Sequence, residues 1–217
     1  MKDVLKFLEG IQKNNNKEWM EAHKADYLKA KQQFEDIIKN LIEKISDFDP
    51  HIAGAEPKKC IFRLYRDIRF SKDKRPYKEN MGGFINKEGR KGMDGGYYLH
   101  IQPGQSMLAG GVYMPPPDIL KKIRQEIDYN PDPLLSYMAS PDFKKYFGSF
   151  EGEKLKKAPT GYDPEHVNIE LLKLKYYIVV HRIEDKIVLG NEFPGYVLKV
   201  FNAMKPLNDY LRTALDV

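Results

Sequence analysis

Tyr97-Tyr98-Leu99-His100-Ile101-Gln102-Pro103-Gly104-Gln105-Ser106-Met107-Leu108-Ala109-Gly110-Gly111-Val112-Tyr113 decides the fold class of this chain. Both ends of the stretch are rich in aromatic and aliphatic residues with the period of two that strands require. Pro103 to Ser106 is a short turn, so strands at 97–102 and 107–113 are expected to pair as an antiparallel hairpin. Further short strands are expected over 60–65 and 81–85, with the Gly-rich turn 86–96 after the second. A late strand is expected over 175–181, through Tyr177-Ile178-Val179-Val180.

Outward from this block the period changes to that of helices. Val4, Leu5, Leu8 and Ile11 predict a helix over 3–12, which Asn14-Asn15-Asn16 breaks, with Asn16 placed to cap the next helix. From Lys17 to about Ser46, Tyr27, Ala30, Phe34, Ile37, Leu41 and Ile45 recur at three and four, a single long amphipathic helix. Pro115-Pro116-Pro117 closes the strand block and opens a helix over 118–128. Shorter helices follow at 132–139 and 141–147, residues 151–170 are irregular, and 193–215 ends as a helix. Strands grouped between helical blocks, without βαβ alternation, predict an α+β fold: a mostly antiparallel sheet flanked by N- and C-terminal helices. The chain reads as one domain, 1–217, with a helical part (1–46), a basic sheet-forming segment (58–114) and a mixed helical part (115–217).

The 217 residues are 41% hydrophobic and 31% charged, enough apolar material for a core under a polar surface. A lone cysteine, Cys60, allows no internal disulfide. It reads as a small buried residue, although the nearby cations could lower its pKa. The start lacks a signal-peptide core and no apolar run approaches a membrane span, so the cytoplasm is the expected location and no membrane partner is expected. No cofactor motif is present: Gly82-Gly83 and Gly110-Gly111 read as bulges or close packing, not a phosphate cradle. No metal set is expected, and Asp163-Pro164-Glu165-His166 reads as a turn whose acid caps the next segment.

Charge is local. Residues 58–91 hold 12 of the 36 Lys and Arg with only 4 acids, net +8, while the rest of the chain sums to −3. The centre is Arg63-Leu64-Tyr65-Arg66-Asp67-Ile68-Arg69-Phe70-Ser71-Lys72-Asp73-Lys74-Arg75-Pro76-Tyr77-Lys78. Arginine forks with a carboxylate between them can hold a phosphate or carboxylate in fixed geometry. The expected ligand contacts are Arg63, Arg66, Asp67, Arg69, Lys74, Tyr77 and Lys78, with Asp67 orienting one guanidinium so that another stays free. The candidate reacting groups are His100, Lys74 and Tyr77; imidazole titrates near neutral pH. The plain alternatives are a buried ionic network in which Asp67 and Asp73 lock a loop, and a strand histidine bonded to a tyrosine or a backbone carbonyl.

The run Arg63-x-x-Arg66-Asp67-x-Arg69-Phe70-x-x-Asp73-Lys74-x-x-Tyr77 resembles the signature of an uncharacterised, mostly bacterial family also found in some fungi, domain-of-unknown-function family 2461. The similarity spans nearly the whole chain: Asn14-Asn15-Asn16-Lys17-Glu18-Trp19, Gly96 to Ile101, Gly110 to Pro115, Glu151 to Lys156 and Gly161 to His166 resemble it too. His181-Arg182 departs from the less basic segment expected there and is assigned no role. The resemblance implies no reaction. It marks the signature residues as one unit, together with His100 and the Asp163/His166 turn.

Three functions compete. The first is a small anionic ligand held by the arginines, with or without catalysis. The second is nucleic-acid binding, the basic strip following a backbone while Tyr65, Phe70, Tyr77, Phe84 and Tyr98 offer stacking faces and Lys87 to Gly92 a flexible phosphate contact. The third is docking of an acidic protein. Oligomeric state is not legible.

Overall fold

A computed structural model describes residues 1–216. α1 (Lys2–Lys13) buries Val4, Leu5, Phe7, Leu8 and Ile11, the expected stripe. Gln33 Oε1 caps its first turn, accepting from the backbone N–H groups of Asp3 and Val4 at 3.1 and 3.3 Å. α2 (Lys17–Ala22) begins at Asn16, whose side chain accepts from the Trp19 N–H at 2.8 Å. The single helix expected over 17–46 is two, because α3 (Lys24–Phe48) starts afresh after His23. The His23 ring stacks on Trp19 at 4.1 Å. Its Nδ1–H also donates to the Trp19 carbonyl at 2.9 Å. A side chain competing for a helix carbonyl lets the chain turn there. α3 buries Ala30, Phe34, Ile38, Leu41, Ile42 and Ile45.

The strand expected over 60–65 does not form. Pro57 opens a helical turn, α4 (Pro57–Cys60), and the chain then runs beside 76–83 through isolated antiparallel bridges at Ile61↔Gly83 and Tyr65↔Tyr77. Five residues (61–65) on one side of that pairing span seven (77–83) on the other, so no continuous ladder can register. The other strands lie close to their expected places: β1 (Met81–Ile85), β2 (Tyr97–Ile101), β3 (Met107–Val112) and β4 (Tyr177–Arg182). They form one antiparallel sheet in the order β1-β2-β3-β4, with helices before, between and after them, an α+β fold. α5 (Pro117–Tyr129), α6 (Asp132–Ala139) and α7 (Pro141–Tyr146) follow β3. The short α8 (Ile169–Leu172) and α9 (Asp185–Val188), absent from the sequence reading, flank β4, and α10 (Phe193–Leu215) ends the described chain. No helix among the described residues is long and apolar enough to cross a membrane.

Two compact units emerge. The first contains Met1–Arg90, Tyr98–Leu108 and Arg182–Lys199; the second contains Lys91–Tyr97, Ala109–His181 and the residues from Val200 on. In the first, α3 approaches β1 closely enough that a Cβ on Gly83 would lie 2.6 Å from Ile38 Cδ1, so the glycine pair there serves close packing. In the second, Tyr97 and Phe201 pack with ring centroids 5.2 Å apart, and the Asn208 side chain donates to the Gly96 carbonyl at 3.2 Å.

Candidate functional site

The signature stretch is a surface loop pinned at its base. Arg66 N–H donates to the Pro76 carbonyl and Lys78 N–H to the Leu64 carbonyl, at 2.9 and 2.8 Å. Asn15 closes the base from the other side: its Nδ2 donates to the Tyr77 carbonyl at 3.0 Å and its Oδ1 accepts the Tyr77 N–H at 3.1 Å. Asn16 caps α2 while Asn15 grips the loop, so adjacent asparagines tie the start of that helix to the arginine-rich loop. Asn15→Ala removes both bonds and leaves polar groups of the buried Tyr77 backbone unpaired. It is expected to cost about 1–3 kcal/mol and to lower the melting temperature by about 2–4 °C for each kcal/mol, measured by calorimetry.

Within the loop, acids and bases satisfy each other. Asp67 takes Arg69 with both oxygens, from Nε at 3.0 Å and Nη2 at 2.7 Å. Asp73 takes Arg66 at 2.6 Å and Arg75 at 2.7 Å, and Arg75 also pairs with Glu79. Hydrogen bonds from Arg75 first, and then from Arg66, hold the Asp73 carboxyl far below its ordinary range; Arg69 lowers Asp67 likewise. Lys74 Nζ donates to the Ile68 carbonyl at 3.0 Å. The network runs from half-buried to exposed: the Arg66 side chain is 25% accessible and that of Arg69 76%. Phe70 stands at the tip, 96% exposed. Thus Asp67 does orient a guanidinium, that of Arg69, but the arginine left over is Arg63.

Arg63 is exposed and, among the described residues, has no carboxylate within ion-pair distance. It lines a cavity of about 330 Å³ in the first unit, together with Lys31, Lys58 and Arg90. Phe34, Ile61, Leu64 and Met81 form apolar walls, Tyr27 and Tyr65 supply rings, and Glu35 is the one acid in the lining. Arg90 is held in place by its Nη1, which donates to the Lys58 carbonyl at 3.1 Å and to that of Ile61. The turn carrying it is built by Asn86, whose carbonyl accepts the Gly89 N–H and whose side chain accepts the Glu88 N–H, both at 2.8 Å. Phe62 lies under two cations, Lys78 Nζ at 5.4 Å and the Arg90 guanidinium at 6.0 Å from its centroid. Burial, and then the charges of Arg63 and Arg90, pull the Lys78 pKa below its ordinary value. Three cations therefore converge around Phe62.

Two of the proposed reacting groups are buried or half-buried and already have partners. Tyr77 is 3% exposed, packs edge-on against Tyr65 at 5.1 Å, and has its pKa raised by burial and then by Tyr65. His100 Nε2–H donates to Gln102 Oε1 at 3.0 Å; its Nδ1 faces the Tyr98 hydroxyl at 3.1 Å and Asn80 Nδ2 at 3.3 Å. Burial is the main cause of its lowered pKa, with Lys78 opposing the charged form as well, and both favour the neutral ring. Cys60 is buried and burial raises its thiol pKa, as a small core residue requires. Asp163 Oδ1 accepts the Glu165 N–H at 2.9 Å, the expected turn.

The family described as Conserved hypothetical protein (DUF2461) matches residues 3–210. The chain belongs to this family. No curated protein and no solved structure matches it. In this DUF2461 chain the signature builds and pins a loop, and the cavity beside it draws on residues that the signature does not contain. Lys58 and Arg90 were visible as charge in the basic stretch. Tyr27 and Lys31 were missed because Tyr27 counts equally well as part of the apolar stripe of α3, where Lys31 follows one turn later.

Proposed function

We propose that this protein binds a small phosphate- or carboxylate-bearing ligand in the cavity beside Arg63. One observation carries the reading: a guanidinium without a carboxylate partner lines a cavity with three other cations, while the neighbouring Arg66, Arg69 and Arg75 are already paired. A ligand engaging Arg66 or Arg69 must displace Asp73 or Asp67; at Arg63 no exchange is needed. Tyr65, 53% exposed, can cover a ligand held there.

A charge-assisted hydrogen bond contributes about 1.5–3 kcal/mol, so Arg63→Ala is expected to weaken binding by about tenfold to a hundredfold. Arg69→Ala should cost less. Isothermal titration with inorganic pyrophosphate, AMP and carboxylates, on variants whose fold is confirmed by circular dichroism, measures both. Equal affinity of Arg63→Ala and the parent for every ligand that binds would refute the proposal.

The 96% exposure of Phe70 on a basic loop favours a second reading, stacking on single-stranded nucleic acid. Polynucleotide binding falls steeply as salt rises, in proportion to the number of phosphates contacted. Binding at the cavity through a few contacts falls much less.

A further inference from the structure

The distribution of polarity inside the cavity says more about its ligand than its net charge does. We infer that the ligand is an amphipathic monoanion, a hydrocarbon body carrying one carboxylate; this rests on the anion-binding reading above and narrows it. The floor is apolar: Phe34, Leu64 and Met81 are 1%, 5% and 6% exposed, core side chains that reach the cavity surface from below. Ile61 extends this wall. The cations Arg63, Lys58, Lys31 and Arg90 are all exposed, so charge gathers at the mouth.

A sugar phosphate placed here would press hydroxyl groups against Leu64 and Met81, where side chains offer no hydrogen-bond partner, and unpaired polar groups are costly to bury. A hydrocarbon body gains from the same walls. Glu35 adds a second constraint. One carboxylate in the lining repels a polyanion more strongly than it repels a single charge, so pyrophosphate-like ligands are disfavoured. At about 330 Å³ the space lies near the lower end of ligand cavities, which run from about 300 to 1,000 Å³. That suits a medium acyl chain or a fused aromatic ring, and both classes share the same recognition chemistry.

The test is a titration series on the full chain: acetate, hexanoate, octanoate and decanoate, then 2-naphthoate, with AMP and pyrophosphate alongside. Affinity is expected to rise with chain length, by up to about fourfold for each methylene that is buried. Arg63→Ala should weaken decanoate or 2-naphthoate binding at least tenfold, and whichever of the two binds tighter identifies the body as acyl or aryl. AMP or pyrophosphate binding through Arg63, with no response to decanoate or 2-naphthoate, overturns the inference and leaves the anion site standing. Chain-length dependence that Arg63→Ala does not touch also overturns it. No binding by any of these compounds removes both readings.

Discussion

Gly89→Ala is expected to damage the fold and the cavity together. Gly89 sits at φ +61°, and a Cβ there would lie 2.6 Å from the Lys59 carbonyl oxygen and 2.8 Å from its carbon. Neither contact can be relieved by rotating a side chain, because both atoms are backbone of α4. The left-handed conformation costs a non-glycine residue about 1–3 kcal/mol and overpacking adds about 1–3 kcal/mol, so a loss of about 2–6 kcal/mol follows. The turn must then lift away from α4, taking Arg90 from the Lys58 and Ile61 carbonyls that now hold it. Chemical denaturation should show the lost stability, and titration should show weaker anion binding in the protein that remains folded. A variant that melts and binds like the parent would show that the turn does not position Arg90.

Gly111→Ala is expected to be worse. Gly111 sits at φ +110°, and a Cβ there would lie 2.1 Å from the Tyr177 carbonyl oxygen, closer than any non-bonded contact allows. The two segments are main chain in one sheet, so relief requires prying strands apart. A cost at the upper end of the same range, about 4–6 kcal/mol, combines that closer clash with backbone strain, against a total stability of about 5–15 kcal/mol for a folded domain. Little soluble protein with a cooperative melt should be recovered. Gly104→Ala is the control: φ is +71°, but nothing lies within 4 Å of the added carbon. It should retain a cooperative melt, paying only the local strain.

Much of the fold was legible because helix and strand periods are robust where one face is buried. The strands at 81–85 and 97–101 and the helices at 132–139 and 193–215 lie at or within a residue of their expected limits. The failures have local causes. Residues 60–65 have strand composition, but pairing is decided by the partner, and seven residues opposite five break the ladder. The helix break at His23 goes with its ring bonding the Trp19 carbonyl, which composition does not reveal. At the candidate site, charge excess singles out the basic stretch but not the unpaired guanidinium. In the sequence Arg63, Arg66 and Arg69 look equivalent; only the fold shows that Asp67 closes on Arg69 and that Asp73, seven residues on, reaches Arg66. Lys31 and Tyr27 come from a helix far earlier in the chain, and no spacing rule connects them to Arg63.

The shared grip of Asp73 on two guanidinium groups gives the loop a tolerance of acid. A carboxyl with an ordinary value of 3.8 that is held well below it in the folded protein keeps its contribution above that value, and loses it only as pH falls through the depressed one. Most surface carboxylates shed their charge near pH 4, whereas Asp73 stays ionised there. The frame beside the cavity therefore keeps its shape in surroundings more acidic than those that loosen an ordinary surface ion pair.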